Sequence, residues 1–211
     1  MTTRYIIACE TLKPELTAVM QGRREPIAWV SEEKHRSIED LRRAVQSAVD
    51  AIPPEYTTGL MAFGFCGNSL VGVGSRWQTL VLPRVADCVP LFLGSQARRD
   101  AYGPDVYFLT EGNMRSKGSV IAEFRRSVQK YGIEEGTEVM KEMFARYRAF
   151  TIIDTGVFDA DGAARAVKPF AELLNMPVFV VSGNIRLLRK LVEGDWGDEF
   201  LITPPGEVIQ A

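Results

Sequence analysis

The chain is poor in the residues that most often announce a function. It has three cysteines and one histidine in 211 residues. Three cysteines, an odd and sparse count, build no disulfide scaffold. A lone histidine, His35, leaves a His-based triad or a His-rich zinc site without its parts. His35 lies in the charged run SEEKHR and reads as a solvated surface residue. An excess of basic charge is missing as well: 25 Lys and Arg face 27 Asp and Glu, a formal charge of −2. That balance gives no broad pull toward nucleic acid or an anionic membrane. No run of about 18 apolar residues exists to span a bilayer. The apolar run within MTTRYIIACETLKPEL is too short for a signal peptide. These absences lead us to expect a reduced, cytoplasmic protein that meets a small-molecule substrate, with a homodimer as the base-rate assembly.

What is present is a regular alternation. RYIIAC (4–9), PIAWV (26–30), YTTGLMAFGF (56–65), TLVL (79–82), VYFLT (106–110), FTII (150–153), PVFVV (177–181) and FLIT (200–203) read as strands. Helices are expected from Pro14 to about Gln21 and from Cys88 to about Ala101. Others are expected over Ser119–Tyr131, Glu134–Tyr147, Ala163–Leu174 and Ile185–Val192. Behind a Ser37/Asp40 capping pattern, Leu41, Val45, Ala48, Val49 and Ile52 keep helical spacing until Pro53-Pro54. Strands that are apolar throughout predict a mostly parallel sheet with helices on both faces, a Rossmann-like α/β fold. The length suits a single α/β domain over residues 1–211. Two lobes joined near Lys117–Gly118 and one continuous sheet are both compatible.

In open α/β sheets ligands bind outside the carboxyl ends of the strands. All three cysteines fall there. Cys9 ends the first strand, Cys66 the third, and Cys88 follows the fourth at the mouth of a helix. Three thiolates facing one pocket are a soft-metal environment that selects an iron–sulfur cluster or zinc and leaves one position open. The competing reading is three small buried residues, since free Cys is among the most buried types. Asp87 reads as a helix cap. Cys88 in the first turn, with Arg84 nearby, would have a stabilised thiolate. Glu10 follows Cys9, so Asp87, Glu10 and Arg84 are the expected catalytic groups. Asp154 and Tyr107 are further candidate acids or bases. The Gly-rich stretch after Cys66 matches neither G-x-x-x-x-G-K-[ST] nor G-x-G-x-x-G. Its glycines are expected to let the backbone approach whatever Cys66 holds. The turns Asp154-Thr155-Gly156 and Ser182-Gly183-Asn184 read as caps and tight turns.

Several segments resemble the DUF1638 family of bacterial and archaeal proteins: IIACETLKPEL, FGFCGNSLVGV, LPRVADCVPLFLGS, YFLTEG, IIDTGVFD and LLRKLVEGDW…FLITPPGEVI. They run from Ile6 to Ile209. The departures are Ala86 where a His is expected, Glu10 where a Gly is common, and Asn113 in place of a Trp. The resemblance implies that Cys9, Cys66 and Cys88 are the shared cysteines, with Arg84, Asp87 and Ser95 around them. Gly67, Asn68 and Ser95 are the expected cofactor-binding residues. It also implies an association with corrinoid-dependent methyl transfer. In ligand count alone the set is similar to the three-Cys cluster of [4Fe–4S] desulfidases.

Three functions follow as expectations. The first is a metalloenzyme of methyl or sulfur transfer, in which the three cysteines hold a [4Fe–4S] cluster or zinc. The second is a non-catalytic accessory protein that binds a metal, corrinoid or small molecule for a corrinoid methyltransferase. The third is a metal-free thiol enzyme with Cys88 or Cys66 as nucleophile, which lacks the usual base partner.

Overall fold

The computed structural model describes residues 3–210. Arg4–Cys9 (β1), Ile27–Val30 (β2), Thr58–Ala62 (β3) and Thr79–Pro83 (β4) form a parallel sheet in the order β2-β1-β3-β4. Phe200–Thr203 (β8) closes its edge antiparallel to β4. Ile6, Ile7 and Ala8 of β1 and Leu60, Met61 and Ala62 of β3 are fully buried. Both faces of the sheet are covered, which is why these strands read as unbroken apolar runs. The chain moves one way from β1 to β2 and back the other way to β3. Right-handed crossovers therefore put the helix Lys13–Val19 (α1) and the helix Ile38–Asp50 (α2) on opposite faces. The stripe Leu41, Val45 and Val49 of α2 is buried, and the Ser37 hydroxyl caps it by accepting from the Asp40 N–H.

The expected helix after Cys88 is two pieces. Cys88–Leu93 (α3) stops at Gly94, which is left-handed at φ 91°, and Gln96–Asp100 (α4) restarts behind a Ser95 cap. A second sheet follows. Val106–Leu109 (β5), Ala149–Asp154 (β6) and Val178–Ser182 (β7) are parallel in that order. Glu111–Arg115 (α5), Val120–Tyr131 (α6), Ile133–Phe144 (α7) and Ala160–Leu173 (α8) accompany it, and Arg186–Glu193 (α9) returns to β3 and β4.

The two-residue period of the second sheet divides its side chains. Val106, Phe108 and Ile153 join the core of the first sheet. Leu109, Phe150 and Ile152 join a second core with Val120, Met140, Phe144, Val167 and Phe170. The protein thus has two sheets sharing one of their cores, rather than one continuous sheet. The chain leaves the first sheet between Asp100 and Val106 and returns after Ser182. The joint expected near Lys117–Gly118 instead lies inside the second half, between α5 and α6. PVFVV, read as a strand covered on both faces, is the edge strand of the second sheet, and Phe179 and Val180 of β7 are exposed.

The halves meet at a tight contact. A Cβ on Gly112 in α5 would stand 1.8 Å from the Thr11 carbonyl oxygen of the 3-10 turn Glu10–Leu12. Only glycine permits that approach. Gly112→Ala is expected to lower the thermal unfolding midpoint by an amount equivalent to about 1–3 kcal/mol, the range of overpacked sites. Gly118→Ala, whose Cβ would meet nothing closer than 3.9 Å, should leave it nearly unchanged. Equal midpoints for the two variants would contradict the close contact.

Candidate functional site

The order β2-β1-β3-β4 changes direction between β1 and β3, and that reversal opens a crevice at the carboxyl ends of the strands. Cys9 is the last residue of β1. Cys66 stands four residues beyond β3, which ends at Ala62 and not at Phe65 as expected. It is carried there by backbone pairing that outruns the sheet. The Phe65 N–H donates to the Val85 carbonyl at 2.9 Å and the Cys66 N–H to the Ala86 carbonyl at 2.7 Å. Gly64 makes this possible, since a Cβ there would lie 2.6 Å from the Asp87 backbone. The chain past β3 is therefore locked beside the residues that lead into Cys88.

Cys66, Gly67 and Asn68 are all left-handed, with φ of 47°, 68° and 64°. The conformation is free for Gly67 and tolerable for Asn68, but costs a residue such as Cys66 about 1–2 kcal/mol. Arg42 of α2 clamps the turn by donating to the Asn68 and Ser69 carbonyls at 3.2 Å. The Ser69 hydroxyl donates to the Cys66 carbonyl at 2.8 Å. Strain of this kind persists where the surroundings enforce it, and such positions cluster at functional sites.

The three thiols lie near enough to act on one another, and none is in a disulfide. Burial pushes the Cys66 thiol up to about 12, and the neighbouring Cys9 adds to it. Burial raises Cys88 well above the ordinary value, followed by Cys66, Asp87 and Cys9. Burial also raises Cys9, against the contact of its Sγ with the Thr11 Oγ1 at 3.0 Å. This corrects the expected thiolate at Cys88: desolvation, with the carboxylate of Asp87 and the neighbouring thiols, outweighs the short helix behind it. Among the described residues, no group of three or more His, Cys, Asp or Glu side chains is placed so that it could hold a metal ion. The sulfurs are neighbours, not a finished ligand set.

Cys88 also lines a cavity of about 320 Å³. Its walls are Thr11, the segment after β2 with Glu32, Glu33, His35 and Arg36, and the segment from α5 to α6 with Asn113, Ser116, Gly118 and Glu123. The cleft thus runs across the carboxyl ends of β1, β2, β4 and β5, between the two halves. His35 is exposed but stands in this wall, where partial desolvation lowers its pKa from the ordinary value and favours the neutral imidazole. Reading it as an isolated surface residue missed this. The rule that found the cysteines also marks SEEKHR, which follows β2 directly.

The other expected site residues are engaged elsewhere. The Asp87 carboxylate caps α3, accepting from the Val89 N–H at 2.8 Å. Arg84 is exposed, and its Nε donates to the Phe200 carbonyl at 3.2 Å. Glu10 lies 4.0 Å from Lys13 Nζ. The Ser95 hydroxyl caps α4. Gly67 and Asn68 hold the turn beside Cys66 without lining the cleft. Asp154 accepts from the Gly156 N–H at 2.9 Å in a local turn. Tyr107 packs edge-on against Phe144, Tyr147 and Phe150 at 5.1–5.7 Å, a core residue.

Neutral thiols react slowly with electrophiles. At pH 8, alkylation of Cys66 should run about two to three orders of magnitude slower than that of a free thiol, and should climb as pH rises. Mass-spectrometric rates per cysteine check this. Rapid, pH-independent labelling of Cys66 at pH 7 would contradict it.

A family model described as a protein of unknown function, DUF1638, matches residues 29–192, well over half of the chain. Comparison with curated proteins and with solved structures gives no match. Among the described residues, no helix is long and apolar enough to cross a membrane.

Proposed function

We propose that this chain, which belongs to the DUF1638 family, is a cytosolic metalloprotein that binds a small ligand in the cleft above Cys9, Cys66 and Cys88. One observation supports the reading: the chain segments leaving β1, β3 and β4 bring three thiols into the same neighbourhood near the β1/β3 reversal, and Cys88 lines the cleft. The donor set is all sulfur, which suits a [4Fe–4S] cluster or zinc. When bound, such a group would supply positive charge and an open position for a soft atom of the ligand. Desolvated thiols that repel one another as anions are stabilised by a soft cation, which fits the chemistry of the site. Metal loading has to draw the sulfurs together from where they stand.

The protein's own contributions follow from the walls. Thr11 holds Cys9. Neutral His35, with Glu32 beside it, is the group best placed to accept a proton from a bound ligand. Arg36 and Asn113 offer donors to the ligand's polar end. Methyl or sulfur transfer is the reaction class that matches a soft-atom ligand.

The second reading is an accessory protein that binds a metal, corrinoid or small molecule for a corrinoid methyltransferase. It gains from the engagement of Asp87, Glu10 and Arg84, which leaves the cleft fewer groups for proton transfer.

Anaerobic purification with iron, sulfide and zinc analysis tests the metal. We expect stoichiometric iron and sulfide, or zinc, in the wild type, and at least a tenfold loss in each of Cys9→Ser, Cys66→Ser and Cys88→Ser. A protein that stays metal-free after anaerobic reconstitution with iron and sulfide, and separately with zinc, would overturn the proposal.

A further inference from the structure

Behind the cleft lies a buried acid that the reading above does not use. Glu15 of α1 is fully buried. Its Oε1 accepts from the Thr155 hydroxyl at 3.1 Å, across the boundary between the halves, since Thr155 follows β6. Its Oε2 is buried and has no hydrogen-bond partner. Two neutral donors, the Thr155 hydroxyl and Glu15's own backbone N–H, still fall short for a buried carboxylate, which ordinarily accepts several bonds or pairs with a cation.

The charged groups around it do not make up the deficit. The elements packed against α1 carry Glu10 on the 3-10 turn, Glu111 and Arg115 on α5, and Arg186, Arg189, Lys190 and Glu193 on α9; Asp154 precedes Thr155. Of these only Glu111 acts appreciably on Glu15, and it is a like charge. Arg115 is held by Glu111 at 2.7 Å, and Arg186 and Lys190 are held by Glu199. Glu15 is thus a carboxyl group whose neutral form fits its surroundings and whose anion does not.

The location gives this consequence for the cleft. α5 carries both Glu111, beside Glu15, and Asn113, in the cleft wall. It rests on the first half through α1 and the 3-10 turn, at the Gly112–Thr11 contact. We propose that Glu15 is a proton-operated latch: neutral, it lets α5 and Thr155 seat on α1; ionised, it loosens that seat and opens the cleft. The inference rests on the reading of the cleft as the ligand site, but not on the three-sulfur reading.

The sign follows from the burial. Desolvation raises the Glu15 pKa from 4.5 to about 6, so folding binds a proton. The support for the closed junction is full below 4.5 and is lost as pH rises through about 6. The whole effect is bounded at about thirtyfold, the ratio set by the displacement from 4.5 to about 6.

Hydrogen exchange of the α5 and 10–12 amides, corrected for intrinsic rates, tests the latch without ligand or metal. Wild-type protection should fall by up to about eightfold between pH 5 and pH 7.5, the share of the thirtyfold limit that lies in that range. Glu15→Gln, which keeps the shape and cannot ionise, should show the same high protection at both. Glu111→Gln should move the wild-type transition to lower pH, and Thr155→Val to higher pH. Wild-type protection that does not change with pH, or a pH dependence that survives in Glu15→Gln, would overturn the proposal. Neither result bears on metal content, so the latch and the sulfur site fail separately.

Discussion

The candidate site depends on backbone pairing that continues after β3 and β4 have ended as strands. Two hydrogen bonds, Phe65 to Val85 and Cys66 to Ala86, hold the departing chains together. The missing side chain of Gly64 lets the Asp87 backbone close over them. From that contact follow the neighbourhood of Cys66 and Cys88, the left-handed turn that Arg42 clamps, and the exit of the chain into α3. Cys9 is delivered beside them by the adjacent β1, because the sheet order reverses at that point.

Burial shapes the chemistry on both sides of the cleft floor. Three thiols and one carboxyl group, all acidic in principle, sit where water is scarce and cations are engaged elsewhere. Each is pushed toward its neutral form. For the thiols this argues against a free nucleophile and for a site whose charge is supplied from outside. For Glu15 it places a titratable group at the junction on which one cleft wall rests. The three thiols and Glu15 are thus shifted by the same physical cause, desolvation.

Much of the fold was legible because it rests on local pattern. Apolar runs such as RYIIA and the 41-45-49 stripe reported their own burial, and Ser37 and Asp87 their capping roles. The strand-end rule placed Cys9, Cys66 and Cys88 together without any metal motif. The same rule applied to β2 would have found His35; at β6 it marked the Asp154-Thr155-Gly156 turn, but not the partner of Thr155.

The sequence by itself determined the α/β class, most strands and helices, and the presence of the cysteines at carboxyl ends, since each depends on periodicity or on a residue's own chemistry. Only the tertiary structure decided that there are two sheets, that β7 is an exposed edge, and that Glu15 is a buried acid facing Thr155 140 positions away. It also decided that Arg84 points to Phe200 and not to a thiol. The physical reason is common to all four. Burial, pairing order and the partner of a charged group are properties of contacts between distant segments, and no local pattern encodes them.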